Sequence, residues 1–129
     1  MSNFLNQNWF RWSCVIAWAG LIFFLSSISS LPGAGVNILD FFIKKSAHVL
    51  VYTVLYLLLI RALKPTNKSS LVGAYLIVVA YAVTDELHQA FVPGRTATIM
   101  DIGFDSLGAS FGFVIAKWAP IRFTKFILK

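Results

Sequence analysis

Four long stretches of this chain carry almost no charge, and each is long enough to cross a lipid bilayer as a helix. Residues 12–30 contain no charged side chain at all, and at about 1.5 Å per residue they span the roughly 30 Å hydrocarbon core of a membrane. The other three stretches are residues 38–60, 69–90 and 98–116. We therefore predict an all-α polytopic membrane protein, folded as a compact bundle of four transmembrane helices, with residues 1–129 forming a single domain.

The composition favours a membrane protein over a soluble one. Charged residues make up 12% of the chain and hydrophobic residues 58%, whereas about a quarter of the residues in a soluble domain are charged. The net charge is +6, but the basic residues lie between the apolar stretches and form no dense patch, so we predict no nucleic-acid partner. The one cysteine, Cys14, lies in the first stretch and excludes an internal disulfide bond.

The basic residues between the stretches predict the orientation of the helices. Eight lie on one side of the predicted membrane: Arg11, Arg61, Lys64, Lys68, Lys117, Arg122, Lys125 and Lys129. Three lie on the other side: Lys44, Lys45 and Arg95. Because cytosolic loops carry the excess of Lys and Arg, we expect both termini in the cytosol. Residues 117–129 mix aromatic and basic side chains, which favours a basic amphipathic tail lying on anionic lipid.

Four of the five acidic residues fall within residues 84–112. A charged side chain facing lipid at the centre of a bilayer costs about 2.5–3.5 kcal/mol on insertion scales, so these groups should face one another or a wet cavity. Helical spacing puts Lys45 and His48 on one face of the second helix. The same rule puts Asp101 and Asp105 on one face of the fourth. Helices two, three and four are therefore expected to bring their polar side chains together.

Residue counts from the cytosolic ends of the helices place both possible pairs at similar depths. We predict that Lys45 lies near Asp101 and that His48 lies near Asp105. The end of the third helix is expected to add Asp85, Glu86, His88 and Gln89.

Glycine and proline residues predict two local structures around this cluster. Gly108 and Gly112 form a G-x-x-x-G spacing, which lets another helix approach the fourth helix closely. Pro93 and Gly94 favour a type II turn, because Pro presets the first central position and Gly accepts the positive φ of the second. The turn would hold Arg95 at the mouth of the cluster, where its guanidinium suits a phosphate or carboxylate of a ligand, or Asp101.

Two segments resemble the VanZ-like family of small bacterial membrane proteins: "KSAHVLVY" at residues 45–52 and "DELHQAFVPGRTATIMDIGFDSLGASFG" at residues 85–112. The family's Lys-x-x-His-x-x-x-Tyr element falls on Lys45, His48 and Tyr52. Its longer polar motif falls on Asp85, Glu86, His88, Gln89, Pro93, Gly94, Arg95, Asp101, Asp105, Gly108 and Gly112. The resemblance implies a multi-pass protein of the bacterial inner membrane and, for the founding member, resistance to the lipoglycopeptide teicoplanin. Many relatives have Asp where this chain has Lys44, and Asn where it has Asp105.

Several functions fit this pattern. In the first, the site faces away from the cytosol and binds an envelope lipid, a cell-wall intermediate or a lipoglycopeptide. The binding residues would then be Lys45, His88, Gln89, Arg95 and Asp101, with membrane lipids as further partners. In the second, the protein is a membrane-embedded enzyme acting on an envelope lipid. General acid/base chemistry would then use His48, Asp85, Glu86 and Asp105.

Three further alternatives remain open at this point. A metal-assisted enzyme would hold a hard divalent ion on oxygen and nitrogen ligands. The candidate ligands are Asp85, Glu86, His88, Asp101 and Asp105. A structural clamp would use the same polar groups only to fix helix packing. Transport would need an oligomer, since four helices without a repeat form no pathway. No cofactor, metal or oligomeric state is predicted.

Overall fold

A computed structural model describes residues 8–29 and 37–118 of the chain. These residues form four α-helices: α1 (Asn8–Ser27), α2 (Ile38–Leu63), α3 (Lys68–Ala90) and α4 (Ile99–Trp118). Each is long and apolar enough to cross a membrane, and the described residues contain no β-strand. The prediction of an all-α bundle of four membrane helices is therefore confirmed. The predicted tail lies beyond residue 118 for most of its length, outside the described residues.

Helix α1 begins earlier than predicted, because Arg11 belongs to the helix instead of its flank. Arg11 is buried, and its Nη1 donates a hydrogen bond to the backbone carbonyl of Arg61, 3.3 Å away. That carbonyl lies in the last turn of α2, where backbone oxygens have no partner within the helix. The start of α1 is thereby joined to the end of α2.

Capping residues fix the ends of α2 and α3. The side chain of Asn37 accepts a hydrogen bond from the backbone N–H of Leu39 at the start of α2. Asn67 does the same for Ser70 at the start of α3, over 2.8 Å. An Asn at this position satisfies one of the N–H groups that have no partner within the helix.

The turn after α3 has the conformation that its sequence predicts. Gly94 has a φ of 78°, and the backbone N–H of Arg95 donates to the carbonyl of Val92 over 3.2 Å. A positive φ at the second central residue is what a type II turn requires. The turn sends the chain from α3 back toward α4 and leaves Arg95 directly after it.

Helices α2 and α4 pack closely, as the G-x-x-x-G spacing predicts. A Cβ atom on Gly108 would lie 2.3 Å from the backbone oxygen of Val49, and one on Gly112 would lie 2.7 Å from the ring of Tyr56. Both glycines are buried inside the bundle, so they bring two helices of the same chain together. This spacing is therefore used within the chain, and it gives no support to an oligomeric transport pathway.

All four helices meet at one end of the bundle where the polar side chains lie. Here α1 and α3 end, and α2 and α4 begin; we call it the site end. The other end, where α2 ends and α3 begins, is called the opposite end. The core extends toward the opposite end through Tyr52, Leu55, Tyr56, Leu59, Ile60, Ala74 and Val78. Trp18 joins α1 to α2 by donating its Nε1–H to the carbonyl of Val51, 2.9 Å away.

Candidate functional site

Two pairs of charged or titratable side chains join α2 to α4, and both match the predicted pairing. The ammonium group of Lys45 contacts Asp101 Oδ1, and His48 Nδ1 lies 2.7 Å from Asp105 Oδ1. Asp105 is completely buried, at 0% exposure. Since the carboxylate occupies Nδ1, Nε2 is the ring nitrogen that His48 can present to a ligand.

Asp85 is the centre of a second network, which also includes α1. Its Oδ2 accepts hydrogen bonds from Ser26 Oγ at 2.9 Å, Gln89 Nε2 at 3.1 Å and Tyr52 Oη at 3.3 Å. Ser26 comes from α1, which the sequence-based prediction left out of the cluster. A serine in an apolar stretch gives little indication of its role, because its hydroxyl can also bond to its own helix.

Glu86 and Asp101 meet at the start of α4 through Thr98. The backbone N–H of Thr98 donates to Glu86 Oε1 over 2.6 Å, and its hydroxyl donates to Asp101 Oδ2 over 2.9 Å. Thr98 directly precedes α4 and its carbonyl accepts from the N–H of Asp101, so it is the N-cap residue. Sequence reasoning missed Thr98 in the cluster, although a Thr immediately before a helix is a recognisable capping residue.

Three buried carboxyl groups each keep one oxygen without a hydrogen-bond partner among the described residues. These oxygens are Asp85 Oδ1, Glu86 Oε2 and Asp105 Oδ2. Buried polar atoms in folded proteins nearly always have partners, and leaving one unsatisfied costs about 1–3 kcal/mol. The cluster therefore has more acceptor capacity than its packing uses.

Arg95 does not pair with Asp101, one of the two partners that the sequence suggested for it. Its Nε and Nη2 donate to the backbone carbonyls of Ile28 and Leu25, at 2.8 and 2.7 Å. These carbonyls lie at the end of α1, where backbone oxygens lack helical partners and the helix dipole is negative. Asp101 is already bonded to Lys45 and Thr98. Arg95 therefore caps α1 and keeps its positive charge without a carboxylate.

His88 lies at the contact between α1 and α3. Its Nε2 is 2.9 Å from Ser27 Oγ, and its ring stacks on Phe23 with 4.1 Å between the ring centroids. On α3 the buried positions at this end are Asp85, Glu86 and Gln89. His88 therefore faces α1, and its predicted role in binding is not tested by this position.

Two cavities open among these side chains at the site end. The inner cavity, about 130 Å³, is lined by Ser26, His48, Tyr52, Asp85, Gln89 and Arg95 together with apolar residues. The second, about 600 Å³, is lined by Lys44, Lys45, His48, Gln89, Arg95 and Asp101 with parts of the adjoining loops. We call the second the cationic cavity. The two cavities share His48, Gln89 and Arg95, so they are contiguous.

The cationic cavity brings three positive side chains to one carboxylate. Lys44 is exposed, and among residues 8–29 and 37–118 no carboxylate pairs with Lys44 or Arg95. Only Lys45 is neutralised, by Asp101. An excess of positive charge in a concave, partly apolar setting attracts anions. Of the predicted site residues, Glu86, His88 and Asp105 line neither cavity, although Asp105 contacts His48, which lines both.

The metal-assisted alternative gains no support from the arrangement of its candidate ligands. Within the described part of the chain, no three His, Cys, Asp or Glu side chains are grouped as metal ligands. His88 faces α1, Asp101 is held by Lys45 and Asp85 by three hydrogen-bond donors. These contacts point the candidate ligands in different directions.

A comparison with protein families identifies this arrangement. The family model of VanZ/LLP1 proteins matches residues 3–120, which include all four helices and the whole polar cluster. The chain belongs to the VanZ/LLP1 family. The resemblance predicted from the two motifs is thereby confirmed. Searches among curated proteins and among solved structures gave no match.

Proposed function

We propose that this VanZ/LLP1 protein binds an anionic amphiphile of the bacterial envelope in the cationic cavity. The observation that carries the proposal is the meeting of Lys44, Lys45 and Arg95 around one cavity, in which Asp101 is the only carboxylate among the described lining residues. A guanidinium group suits a phosphate or carboxylate, and ammonium groups add positive charge around it. The ligand class is an envelope lipid, a cell-wall intermediate or a lipoglycopeptide.

The charge distribution supports entry of this ligand from the outer leaflet. In the described residues the site end carries three basic side chains, whereas the opposite end carries five: Arg11, Arg61, Lys64, Lys68 and Lys117. By the positive-inside rule the poorer end faces away from the cytosol. The termini would then be cytosolic, in the inner membrane of a bacterium, with both cavities open to the outer leaflet.

The inner cavity supplies polar groups for the uncharged parts of such a ligand. Ser26, Asp85 and Gln89 line it, and Asp85 Oδ1 has no partner among the described residues. These groups match the hydroxyl and amide groups of sugars and peptides, which need both donors and acceptors. A cell-wall intermediate or lipoglycopeptide carries such groups beside a charged one.

A role like that of the founding VanZ member follows if the ligand is a lipoglycopeptide or its cell-wall target. Production of this protein in a teicoplanin-sensitive bacterium would then raise the concentration needed to inhibit growth. The Arg95→Gln variant, produced at an equal level, should lose that effect. Equal protection by both proteins would contradict the resistance role.

Anion binding is tested directly with two single-chain probes that differ in head charge. Hexadecyl phosphate is anionic and hexadecylphosphocholine is zwitterionic, and both are added to the purified full chain in phosphatidylcholine nanodiscs. Native mass spectrometry then measures the retained probe. We expect hexadecyl phosphate to be retained more strongly, and the Lys44→Gln variant to retain it roughly fivefold less, since one cation near a membrane surface contributes about 1 kcal/mol.

Lys68→Gln is the matched control for Lys44→Gln. Both lysines are exposed, but Lys68 begins α3 at the opposite end. The proposal expects retention by Lys68→Gln to equal that of the unmodified protein. Equal retention of the two probes, or an equal fall in both variants, would contradict it.

A second candidate function, acid/base catalysis on the bound amphiphile, is favoured by one observation. His48 lines both cavities while its Nδ1 contacts the buried Asp105. A carboxylate at Nδ1 orients an imidazole so that Nε2 can exchange a proton with a ligand. Asp105→Asn keeps an oxygen for Nδ1 but removes the charge. If the protein is a catalyst, the Asp105→Asn variant should still bind the ligand but no longer convert it. If the mass of the bound ligand stays unchanged in the unmodified protein, catalysis is contradicted.

A further inference from the structure

A long apolar groove runs along the outside of α2 and α4 and meets the cationic cavity at one residue, Lys45. Its volume is about 600 Å³. The residues that form its walls include Phe41, Phe42, Leu50, Phe104, Phe111 and Ile115. Along α2 it extends from Phe41 to Thr53, which corresponds to about 18 Å at 1.5 Å per residue. The groove is therefore long enough to hold an extended chain.

The floor of the groove is a fixed contact between the two helices. The carbonyl of Gly108 lies 2.8 Å from Thr53 Oγ1, and Gly108 leaves no room for a Cβ atom beside Val49. Because the backbones are in contact, the two helices cannot close further over the groove. The larger side chains on each side then stand as walls above this floor.

Lys45 connects the groove to the cationic cavity. It lines both, and its ammonium group lies 5.4 Å from the ring centre of Phe41 and 5.6 Å from that of Phe104. Both rings also line the groove. One molecule with a negative group in the cationic cavity could thus pass Lys45 and place its hydrocarbon chain between these rings.

We infer that the groove between α2 and α4 holds the single hydrocarbon chain of a phosphate ester whose anionic group lies in the cationic cavity. This inference rests on the proposed function and specifies its ligand. One chain is favoured over the two of a phospholipid, because no Lys or Arg is among the described residues that line a second groove. That second groove lies between α3 and α4, is lined by Val72, Tyr75, Ser110, Phe113 and Val114, and shares no residue with the cationic cavity.

The groove selects the ligand by shape. Lipid tails are as apolar as the walls of the groove, so moving a chain from bilayer to groove gains little from hydrophobicity. Close packing against four phenylalanine rings instead favours a chain that continues directly from the head group past Lys45. A bulky side chain inside the groove should therefore weaken binding without changing the charge of the site.

The test uses two tryptophan substitutions on similarly exposed leucines. Leu50 is 64% exposed and lines the groove, while Leu76 on α3 is 60% exposed and lines no cavity described above. Retention of hexadecyl phosphate in phosphatidylcholine nanodiscs is measured by native mass spectrometry for Leu50→Trp, Leu76→Trp and the unmodified protein. We expect Leu50→Trp to lose about fivefold or more and Leu76→Trp to match the unmodified protein. Phosphatidylglycerol, with two chains, should be retained less than hexadecyl phosphate by the unmodified protein.

The outcomes separate failure of the groove from failure of the proposed function. One outcome is that the unmodified protein prefers hexadecyl phosphate to hexadecylphosphocholine while Leu50→Trp retains as much hexadecyl phosphate as the unmodified protein. In that case anion binding stands and the groove inference is overturned. Equal losses in both tryptophan variants also overturn it, as does stronger retention of phosphatidylglycerol. If the unmodified protein shows no preference for the anionic probe, both proposals fail. Thermal unfolding of both variants checks that each is folded.

Discussion

The two ends of the bundle use polar atoms in opposite ways. Toward the opposite end, Tyr56 is completely buried and its hydroxyl donates to the carbonyl of Leu71 over 3.1 Å, among leucine, isoleucine and alanine side chains. At the site end, Asp85, Glu86 and Asp105 are also buried, yet each has a carboxyl oxygen without a partner in the described structure.

The two ends therefore differ in how fully these buried polar atoms are hydrogen-bonded. Buried charged groups stabilise less than apolar packing of the same volume, and unsatisfied oxygens lower stability further. A single pair such as Lys45 with Asp101 would suffice to fix how α2 and α4 meet. The proposed function assigns the additional acids to a ligand, and it expects substitutions at the two ends to have different effects.

The largest effect is expected from adding a methyl group where α2 and α4 touch. Gly108→Ala places a Cβ 2.3 Å from the backbone oxygen of Val49, so the helices must separate, at a cost of about 3 kcal/mol in the free energy of unfolding. Gly103→Ala on the same helix is the control, because its Cβ would meet nothing within 4 Å. Denaturant unfolding in detergent measures both. Similar stabilities for the two variants would show that the close contact does not hold the helices together.

A smaller loss is expected when one member of the Lys45–Asp101 pair is neutralised. Asp101→Asn removes the charge that accepts from Lys45 and should lower the free energy of unfolding by about 2 kcal/mol, because hydrogen bonds to charged groups contribute about 1.5–3 kcal/mol. The double variant with Lys45→Met should lose less than the sum of the two single losses. A double-mutant cycle measures the coupling, and strictly additive losses would refute a direct interaction.

Two tyrosines compare the ends directly. Tyr56→Phe removes the hydroxyl that donates to Leu71 and should lower the free energy of unfolding by about 1 kcal/mol. Tyr52→Phe should lower it less, because Asp85 Oδ2 still accepts from Ser26 and Gln89. Both are measured by the same denaturant unfolding. A larger loss of unfolding free energy for Tyr52→Phe than for Tyr56→Phe would contradict this expected difference between the two ends.

The smallest effect on stability is expected for Glu86→Gln. Its side-chain oxygen can still accept from the N–H of Thr98, and the substitution removes a buried charge whose second oxygen has no partner among the described residues. The free energy of unfolding should change by less than about 0.5 kcal/mol or increase. A loss above about 1 kcal/mol, measured by denaturant unfolding, would favour the structural clamp over a ligand site.

The patterns with helical periodicity were predictable from the sequence. Lys45 and His48 lie one turn apart on α2, and their partners Asp101 and Asp105 lie one turn apart on α4, so both pairings follow once these two helices face each other. The small residues at Gly108 and Gly112 indicated that contact. The roles of these side chains in binding or catalysis stay predictions.

Partners from outside the periodic patterns were not predictable. Ser26 joins Asp85 from α1, which looked like a plain membrane helix, and Thr98 joins Glu86 to Asp101 from the loop before α4. Arg95 bonds to backbone carbonyls of α1, and no side-chain pattern marks a backbone carbonyl. Each of these contacts depends on how far one helix is rotated and shifted along another.

The sequence by itself determined that the described chain forms four membrane helices and which side chains share a face of each. Those properties depend only on hydropathy, length and the 3.6-residue period of the helix, all of which can be read along the chain. Only the tertiary structure decided that α1 belongs to the site, that Arg95 caps a helix and that one lysine joins a polar cavity to an apolar groove. These features depend on the rotation and axial position of helices relative to one another, which are set by packing many side chains at once.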